Sequence, residues 1–276
     1  MKATLTKAAL VLAVIAGVTV EPGRAMAQDA ISPTSFPSFG VASVTYGPYL
    51  RIEGGYASRS LHDAYWLPPG YPGKDPRVNF DLDDDKGAIW GVAAGYDWLN
   101  GFRADVELLG RSGMDLNGVW ASPGPGPHAD ITGGTVRTTA LMANLYYAPL
   151  EQRGSHSRFQ PFLFSGLGLA NNKVSTWTRT NPDAEGGEER TDRSFEGDSN
   201  LTIAAAIGFG ASIQLTKPGQ HPVILEAAYK YYYFGTAHGG ATPLPGSGTS
   251  EPYKPLTFKP NDQVVTLSLR IPLKRY

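Results

Sequence analysis

Apolar and polar residues alternate along the carboxyl-terminal segment "DQVVTLSLRIPLKRY". Val265, Leu267, Leu269, Ile271 and Leu273 occupy every second position, and polar residues or proline lie between them. Successive side chains of a β-strand point to opposite faces of a sheet, so a period of two residues predicts a strand. The segment is therefore expected to form a strand with one apolar face.

The same alternation recurs in seven further segments. The eight predicted strands lie near residues 47–57, 88–99, 102–111, 138–148, 159–170, 201–215, 223–234 and 263–273. Each has roughly the 9 to 11 residues that a tilted strand needs to cross a bilayer. The pattern predicts an all-β protein, either a membrane barrel or a soluble barrel of the lipocalin type.

Short and long connections alternate between these strands. Asn100-Gly101, a tight-hairpin signal, joins the second and third strands, and "PLEQRGSHSR" and "TKPGQHP" form the other short turns. The remaining connections have about 25 to 30 residues. Long loops count against a compact soluble domain, whereas short turns on one rim and long loops on the other are typical of an outer-membrane barrel.

The two faces of the predicted strands differ in composition. One face carries large apolar and aromatic side chains: Trp90, Val92, Tyr96, Trp98, Phe102, Val106, Leu108, Ile203, Ile207, Phe209, Ile213, Val223, Leu225, Tyr229 and Tyr231. The other face carries mainly glycine and alanine with scattered charges. A narrow lumen needs small side chains and holds charges only when they are paired. We therefore predict that the apolar face contacts lipid, with Trp66, Trp98, Tyr147 and Tyr231–Tyr233 as interfacial aromatic residues.

The first 27 residues have the three parts of a secretory signal peptide. Two lysines precede an apolar run of about 13 residues, and small residues end at Ala27. A membrane-spanning helix needs about 20 apolar residues. We therefore interpret residues 1–27 as a cleaved signal peptide, residues 28–46 as a short periplasmic segment and residues 47–276 as the barrel.

Several phrases resemble one protein family. "GPYLRIEGGY", "GVAAGYDWLNGFRADVEL", "FQPFLFSGLGLA", "AAAIGFGASIQL", "ILEAAYKYYYFG" and the closing strand are similar to the bacterial outer-membrane β-barrel superfamily, which includes opacity proteins, the OmpA transmembrane domain and small alphaproteobacterial surface antigens. The resemblance implies an eight-stranded antiparallel transmembrane β-barrel with short periplasmic turns and four long extracellular loops.

The resemblance also implies a role for the end of the chain. In this family the last strand pairs with the first, and its terminal residues resemble the signal that the outer-membrane assembly machinery reads. Here that signal would comprise Leu269, Ile271, Leu273 and Tyr276. Lys274 departs from the family pattern, which has an aromatic or apolar residue at that position.

Overall composition excludes some classes of function. The formal net charge of −1 over 276 residues gives no electrostatic argument for a nucleic-acid partner. The chain has no cysteine, which excludes thiolate metal sites, cysteine nucleophiles and disulfide scaffolds.

Alternation places a balanced set of charges on the face assigned to the lumen. Four cations and four anions belong to it: Arg51, Arg103, Lys230 and Arg270, with Glu53, Asp105, Glu107 and Glu226. Such a set predicts ion pairs that fill the lumen, and a gated or selective pore is the alternative.

No cofactor or catalytic centre is predicted. Asp81, Asp83 and Asp85 alternate before Gly87 as in a calcium loop, but Val92 falls where the bidentate glutamate belongs. A solvated acidic loop is the preferred interpretation. All five histidines fall in predicted loops or turns, without a serine and carboxylate beside them on a strand. We therefore expect no enzymatic activity.

The sequence thus predicts an exported protein of the bacterial outer membrane with a structural or surface-interaction role, such as that of an antigen or adhesin. A small ion or solute channel is the first alternative, and a soluble secreted ligand-binding barrel is the second. The expected partners are outer-membrane lipid and lipopolysaccharide, the assembly machinery during biogenesis, and an extracellular ligand that would bind the long loops.

Overall fold

The computed structural model describes residues 47–69, 77–122, 130–150, 158–180, 192–217 and 220–273. The predicted signal peptide 1–27, the segment 28–46 and Tyr276 lie outside the described residues. The described residues contain no helix that is long and apolar enough to span a membrane.

Fifteen strands make up the described fold. They are β1 (Gly47–Leu67), β2 (Val78–Leu82), β3 (Asp85–Asp97), β4 (Phe102–Arg111), β5 (Met114–Asp115), β6 (Gly118–Ser122), β7 (Asp130–Gly133), β8 (Thr135–Tyr147), β9 (Phe159–Val174), β10 (Trp177–Thr180), β11 (Arg193–Phe195), β12 (Asp198–Gln214), β13 (Ile224–Tyr233), β14 (Ala237–His238) and β15 (Lys254–Pro272).

Eight long strands form a closed antiparallel barrel. The order is β1, β3, β4, β8, β9, β12, β13 and β15, and β15 pairs again with β1 from Tyr49↔Pro272 onward. Closure satisfies the backbone hydrogen bonds of every barrel strand and leaves no open edge. Each of the eight strands predicted from alternation is present, and the predicted pairing of the last strand with the first is confirmed.

Outward-facing side chains form an apolar band around the barrel. Ile52, Leu167 and Ile203 are exposed by 56%, 66% and 71%, although each lies in the middle of a regular strand. Their inward neighbours are less exposed, and most of them are buried. An exposed apolar band around a closed barrel is the arrangement that hydrocarbon requires.

Beyond this band the long connections continue as strands, which differs from the structureless loops expected from the sequence. We call this part the extension and the opposite rim the turn end. Short strands β2, β6, β7, β10 and β11 form one continuous run of pairings that starts from β1, and β14 pairs with β15. β1 and β15 themselves are 21 and 19 residues long, so they cross both the band and the extension.

A bulge redirects β1 into the extension. β1 pairs with β3 only as far as Arg59↔Asp85, and from Ala64 it pairs with β2. Between these points Asp63 has a φ of 53°, and the register with β15 shifts. The two halves of the strand are therefore separated by Asp63, a single residue in the left-handed conformation, which aspartate tolerates.

At the turn end, the Asn100-Gly101 connection has a wider turn than the predicted two-residue hairpin. β3 ends at Asp97 and β4 begins at Phe102. The left-handed residues are Leu99 and Gly101, with φ of 49° and 90°. The Asp97 carboxylate accepts a hydrogen bond from the Leu99 amide at 3.0 Å, which stabilises the unusual leucine conformation.

Candidate functional site

The structure places all eight charged residues predicted for the lumen on the buried face of the barrel. Their exposed fractions range from 0% to 7%. They lie on β1, β4, β13 and β15, and most of these strands adjoin each other around the barrel, so one side of the lumen is charged. Charges removed from water to this degree need partners, and the contacts between them decide what the lumen can do.

Arg51 is the centre of the first group of ion pairs. Its Nη1 lies 2.7 Å from Glu53 Oε2, its Nε lies 3.1 Å from Asp105 Oδ2 and its Nη2 lies 3.3 Å from Glu107 Oε2. Lys230 Nζ approaches Glu53 Oε2 at 2.6 Å. Three carboxylates thus surround one guanidinium, and a second cation shares one of them.

Glu226 is the centre of the second group. Its Oε1 lies 2.9 Å from both Arg103 Nη2 and Arg270 Nε. Arg270 Nη1 also lies 2.7 Å from Asp97 Oδ2. Asp97 was not among the predicted residues, although its position between outward-facing Tyr96 and Trp98 would have assigned it to the lumen by alternation.

Neutral side chains complete the carboxylate contacts. Asn144 Nδ2 donates to Asp105 Oδ1 and to Glu107 Oε2, both at 2.8 Å. The Tyr49 hydroxyl donates to Asp105 Oδ2 at 3.1 Å. These donors lie on β8 and β1, so the network crosses several strands of the barrel and fixes their inward side chains relative to each other.

Aromatic side chains from β8, β9 and the end of β13 line the rest of the lumen, and they were not predicted from the sequence. They are Tyr146, Phe162, Phe164, Tyr232 and Phe234, and all are at most 3% exposed. The Arg103 guanidinium lies 4.4 Å from the Tyr146 ring centroid and 4.8 Å from that of Phe162, and Lys230 Nζ lies 4.7 Å from that of Phe164. These are cation–π distances. Tyr232, expected at the interface, instead faces the lumen.

A third charged group lies where the lumen meets the extension. Arg59 Nη2 donates to the Ala88 carbonyl at 2.7 Å, and Nη1 donates to the Ser112 carbonyl at 2.9 Å. Arg111 Nη1 lies 3.3 Å from Asp262 Oδ1, and Arg59 Nε lies 3.8 Å from Asp262 Oδ2. Arg59 and Asp262 lie just beyond the predicted strand ends, so longer alternating segments would have been needed to find them.

Together the buried lumen charges are balanced. Six cations and six anions belong to the three groups: Arg51, Arg59, Arg103, Arg111, Lys230 and Arg270, with Glu53, Asp97, Asp105, Glu107, Glu226 and Asp262. Their formal charges sum to zero, which favours a lumen that is neutralised internally.

The interior of the extension is mainly apolar. Trp177 stacks on Phe195 with ring centroids 4.4 Å apart, and Trp66 packs edge-on against Trp177 at 6.0 Å. The Trp177 indole donates to the Gly240 carbonyl at 3.0 Å. Trp66 was expected in an interfacial girdle, but it is 1% exposed and belongs to this core.

The described acidic residues and histidines are spread over several elements. Asp81 lies in β2 and Asp85 begins β3, so the acidic residues span two strands instead of one binding loop. Within the described ranges, no three histidine, aspartate or glutamate side chains are placed to hold a metal ion. His62 and His238 were expected in loops but lie in β1 and β14.

The predicted assembly signal is only partly described. Leu269 and Ile271 lie on the outward face of β15 between buried neighbours. The Leu273 amide donates to the Pro48 carbonyl at 2.8 Å, so pairing with β1 continues past Pro272. Tyr276 falls outside the described residues, and the role of these residues in assembly stays a prediction.

Comparison with known proteins finds similar architectures and no close relative. No protein-family model matches the sequence, and no curated protein matches it significantly. The solved structures that it resembles include Neisserial surface protein A, with 15% identity, coverage of 82% of this chain and 97% of that chain, and a TM-score of 0.41.

Two further similar structures have comparable scores. Outer membrane protein OprG from Pseudomonas aeruginosa has 16% identity, covers 83% of this chain and 97% of its own, and has a TM-score of 0.43. The attachment invasion locus protein Ail of Yersinia pestis has 13% identity, covers 81% and 99%, and has a TM-score of 0.35. At these scores the fold assignment rests on the strand pairing of this chain itself.

Proposed function

We propose that this protein is a bacterial outer-membrane β-barrel with a structural or surface-interaction role and a lumen closed to steady ion flow. The extension lies at the cell surface and the turn end lies in the periplasm. The observation that carries the proposal is the lumen, in which paired charges on one side meet aromatic rings on the other.

The membrane location is supported by the outward face of the barrel. Leu141, Leu167 and Val265 are exposed by 54%, 66% and 53%, and comparable side chains surround the other strands. An apolar surface of this extent on a soluble protein would drive association. In lipid the same surface is solvated, and the closed backbone pairing leaves no unsatisfied group toward the hydrocarbon.

The closed lumen is supported by the size of the barrel and by the contacts inside it. Eight strands enclose an interior only just wide enough for side chains. Arg51, Arg103 and Arg270 each contact carboxylates at 2.7 to 3.3 Å, and Tyr146 lies against Arg103. Moving one of these side chains aside would leave a buried charge without its partner, which is strongly unfavourable.

A conductance measurement tests the closed lumen. Purified protein in planar bilayers is expected to show no steady conductance. A general porin, measured in the same bilayers, is the positive control. The contradicting result has two parts. The unmodified protein would form reproducible ion-selective channels, and replacing Arg51 or Glu226 would change their selectivity without changing the stability of the barrel. That result would favour the small channel.

Cell fractionation tests the location. The protein is expected in the outer membrane, resistant to extraction by high salt, with a gel mobility that changes on boiling in detergent. Recovery as a soluble periplasmic protein would contradict the proposal and favour the soluble ligand-binding barrel.

The absence of native cysteine makes the orientation directly testable. Ser250→Cys, between β14 and β15, is expected to react with an impermeant maleimide on intact cells, whereas Asn100→Cys at the turn end is expected to react only after lysis. Labelling of Asn100→Cys on intact cells would invert the topology.

An interaction role is supported by the order of the extension. Its strands are held by the aromatic core around Trp66, Trp177 and Phe195, so the exposed residues above it are displayed on a packed scaffold. The expectation of no enzymatic activity stays a prediction from the sequence.

A further inference from the structure

Two cations lie opposite each other on the outward face, where the apolar band meets the extension. Arg137 of β8 is paired in register with Lys173 of β9, and both side chains are exposed. Side chains directly opposite in an antiparallel pair have Cβ atoms about 4.5 to 5.5 Å apart, and like charges there destabilise the sheet. The pair is therefore unfavourable unless an anion lies nearby.

Among the described residues, no carboxylate is paired with either cation. Two carboxylates are close in register. Asp115 pairs with Thr135, two residues from Arg137, and Asp198 contacts the His238 imidazole at 3.1 Å. Neither carboxylate forms an ion pair with Arg137 or Lys173.

The height of the pair corresponds to lipid headgroups. Leu141 and Leu169 are the last exposed apolar pair of β8 and β9, and Arg137 lies four residues beyond Leu141. On a strand tilted by about 40°, that distance raises the Cα atom about 10 Å above the leucines. The headgroup layer of one leaflet is about 5 to 7 Å thick. The side chains of arginine and lysine are long enough to place their charged groups back in this headgroup layer.

Neutral side chains that can form hydrogen bonds with a lipid headgroup lie between the two leucines and the two cations. Thr139 is paired with Asn171, and both are exposed. The Asn171 side-chain oxygen accepts a hydrogen bond from Ser199 Oγ at 2.7 Å, which leaves its amide nitrogen directed elsewhere. On the neighbouring strands the Trp90 indole covers Gly110, which pairs with Thr139. Tryptophan is enriched at this level of membrane proteins.

We propose that Arg137 and Lys173 bind a phosphate group of lipid A in the outer leaflet. The guanidinium forms two parallel hydrogen bonds to phosphate oxygens, and the ammonium adds a compact positive charge. The phosphate removes the repulsion between the cations, so the bound lipid stabilises the pairing of β8 with β9. This inference rests on the proposed outer-membrane function and deepens it by naming the lipid and its site.

A binding measurement tests the site with the full-length mature chain in detergent micelles. The probe is fluorescent lipid A that carries both phosphates, and the comparison is the same lipid A with both phosphates removed. Arg137→Gln/Lys173→Gln is expected to weaken binding of the phosphorylated form about thirtyfold, which corresponds to about 1 kcal/mol for each cation near a membrane surface. Binding of the dephosphorylated form is expected to be weak and equal in both proteins.

The matched control removes the same charge elsewhere. Lys217→Gln/Lys254→Gln neutralises exposed lysines beside the turn end and at the start of β15, and it is expected to bind lipid A as the unmodified protein does. An equal loss in both double variants would overturn the site in favour of unspecific attraction. Equal binding of the dephosphorylated lipid would overturn it in favour of acyl-chain contacts, and competition by millimolar inorganic phosphate would assign the site to free phosphate.

A stability measurement distinguishes a lipid site from a structural role of the two cations. In phosphatidylcholine vesicles Arg137→Gln/Lys173→Gln is expected to unfold at the same or a higher urea concentration, since repulsion is removed. Adding phosphorylated lipid A is expected to raise the midpoint of the unmodified protein only. A lower midpoint of the variant without lipid A would overturn the proposal.

These outcomes are independent of the proposed function. Fractionation of cells reports the location of the protein, whereas the binding assay reports the cation pair in vitro. An outer-membrane protein that binds both lipids alike would retain the proposed function and lose this inference.

Discussion

Strand β1 crosses two environments, and the polarity of its faces reverses between them. In the apolar band Arg51 and Glu53 point into the lumen, while Ile52 is exposed. Beyond Asp63 the inward side chain is Trp66, whereas His62, on the strand just before the bulge, is exposed and polar. One strand therefore has a polar interior in the band and an apolar interior in the extension.

β15 shows the same reversal in the opposite chain direction. In the extension Phe258 is buried and Lys259 points outward, where it meets Asp63 at 2.8 Å. In the band Thr266 is buried and Leu267 is 59% exposed. From Phe258 to Pro272 inward and outward positions alternate regularly, and the identity of the residues at these positions changes.

In both regions, alternation determines which side chains share a face. The solvent around each region determines which of the two faces is apolar. In the proposed membrane location, hydrocarbon around the band excludes polar side chains from the outside, so polar groups lie inside and must pair. Water around the extension favours apolar side chains inside and polar side chains outside, because burial of apolar surface stabilises the core. Arg179 is a buried charged residue beside that core, and its guanidinium lies over the Trp66 ring.

The largest expected effect comes from breaking a lumen pair. Arg270→Ala leaves Glu226 with one cation and Asp97 with none, so we expect the free energy of unfolding to fall by about 3 to 5 kcal/mol. Urea titration in phosphatidylcholine vesicles measures this change. The control is Arg137→Ala, an exposed arginine expected to change stability by at most about 0.5 kcal/mol. Equal effects of both variants would mean that the lumen charges are not desolvated.

A somewhat smaller effect is expected from a cavity in the extension. Trp177→Ala removes a fully buried indole and should destabilise the extension by about 3 kcal/mol. Because the lumen pairs are retained, we expect faster proteolysis of the extension while the boiling-dependent gel shift is retained. Trp98→Ala, which removes a half-exposed indole at the turn end, is the control. Loss of the gel shift in Trp177→Ala would show that the two regions unfold together.

Two substitutions on one face of β15 test the boundary between the regions. Leu267→Arg places a charge in the apolar band and is expected to cost about 2 kcal/mol of stability in vesicles. Asn261→Arg places the same charge six residues closer to the extension on the same face of β15, where the long arginine side chain is expected to reach water. Its expected change is within about 0.5 kcal/mol. A similar loss from both would place the hydrocarbon boundary beyond Asn261.

The smallest effect is expected for the exposed ion pair of the extension. The hydrogen bond from Lys259 lowers the pKa of the Asp63 carboxyl below its ordinary value. Any stabilisation is therefore present above the ordinary pKa of aspartate and is lost as pH falls through the lowered value. Both side chains are well exposed, so solvent screens the pair. Asparagine also tolerates the left-handed conformation. We therefore expect the Asp63→Asn variant and the unmodified protein to have the same unfolding midpoint between about pH 3 and pH 6. A clear divergence would mean that the pair is shielded from water.

The sequence alone predicted the eight barrel strands and the face on which Arg51, Glu226 and Arg270 lie. That was possible because strand directions follow from local alternation, and because each band-crossing segment is long enough to show it. The short strands of the extension were missed, since segments of two to five residues, such as β5, β7 and β10, carry too little periodicity to be recognised.

Only the tertiary structure decided which lumen charges pair. Lys230 and Glu53 are 177 residues apart, and Arg270 and Asp97 are 173 residues apart. Their contacts depend on the register with which β15 closes against both β13 and β1, and no local pattern encodes that register. The closed barrel likewise places the Tyr146 ring of β8 beside the guanidinium groups of Arg51 and Arg103. The residues on each face are thus a property of the sequence, and their partners are a property of the closed barrel.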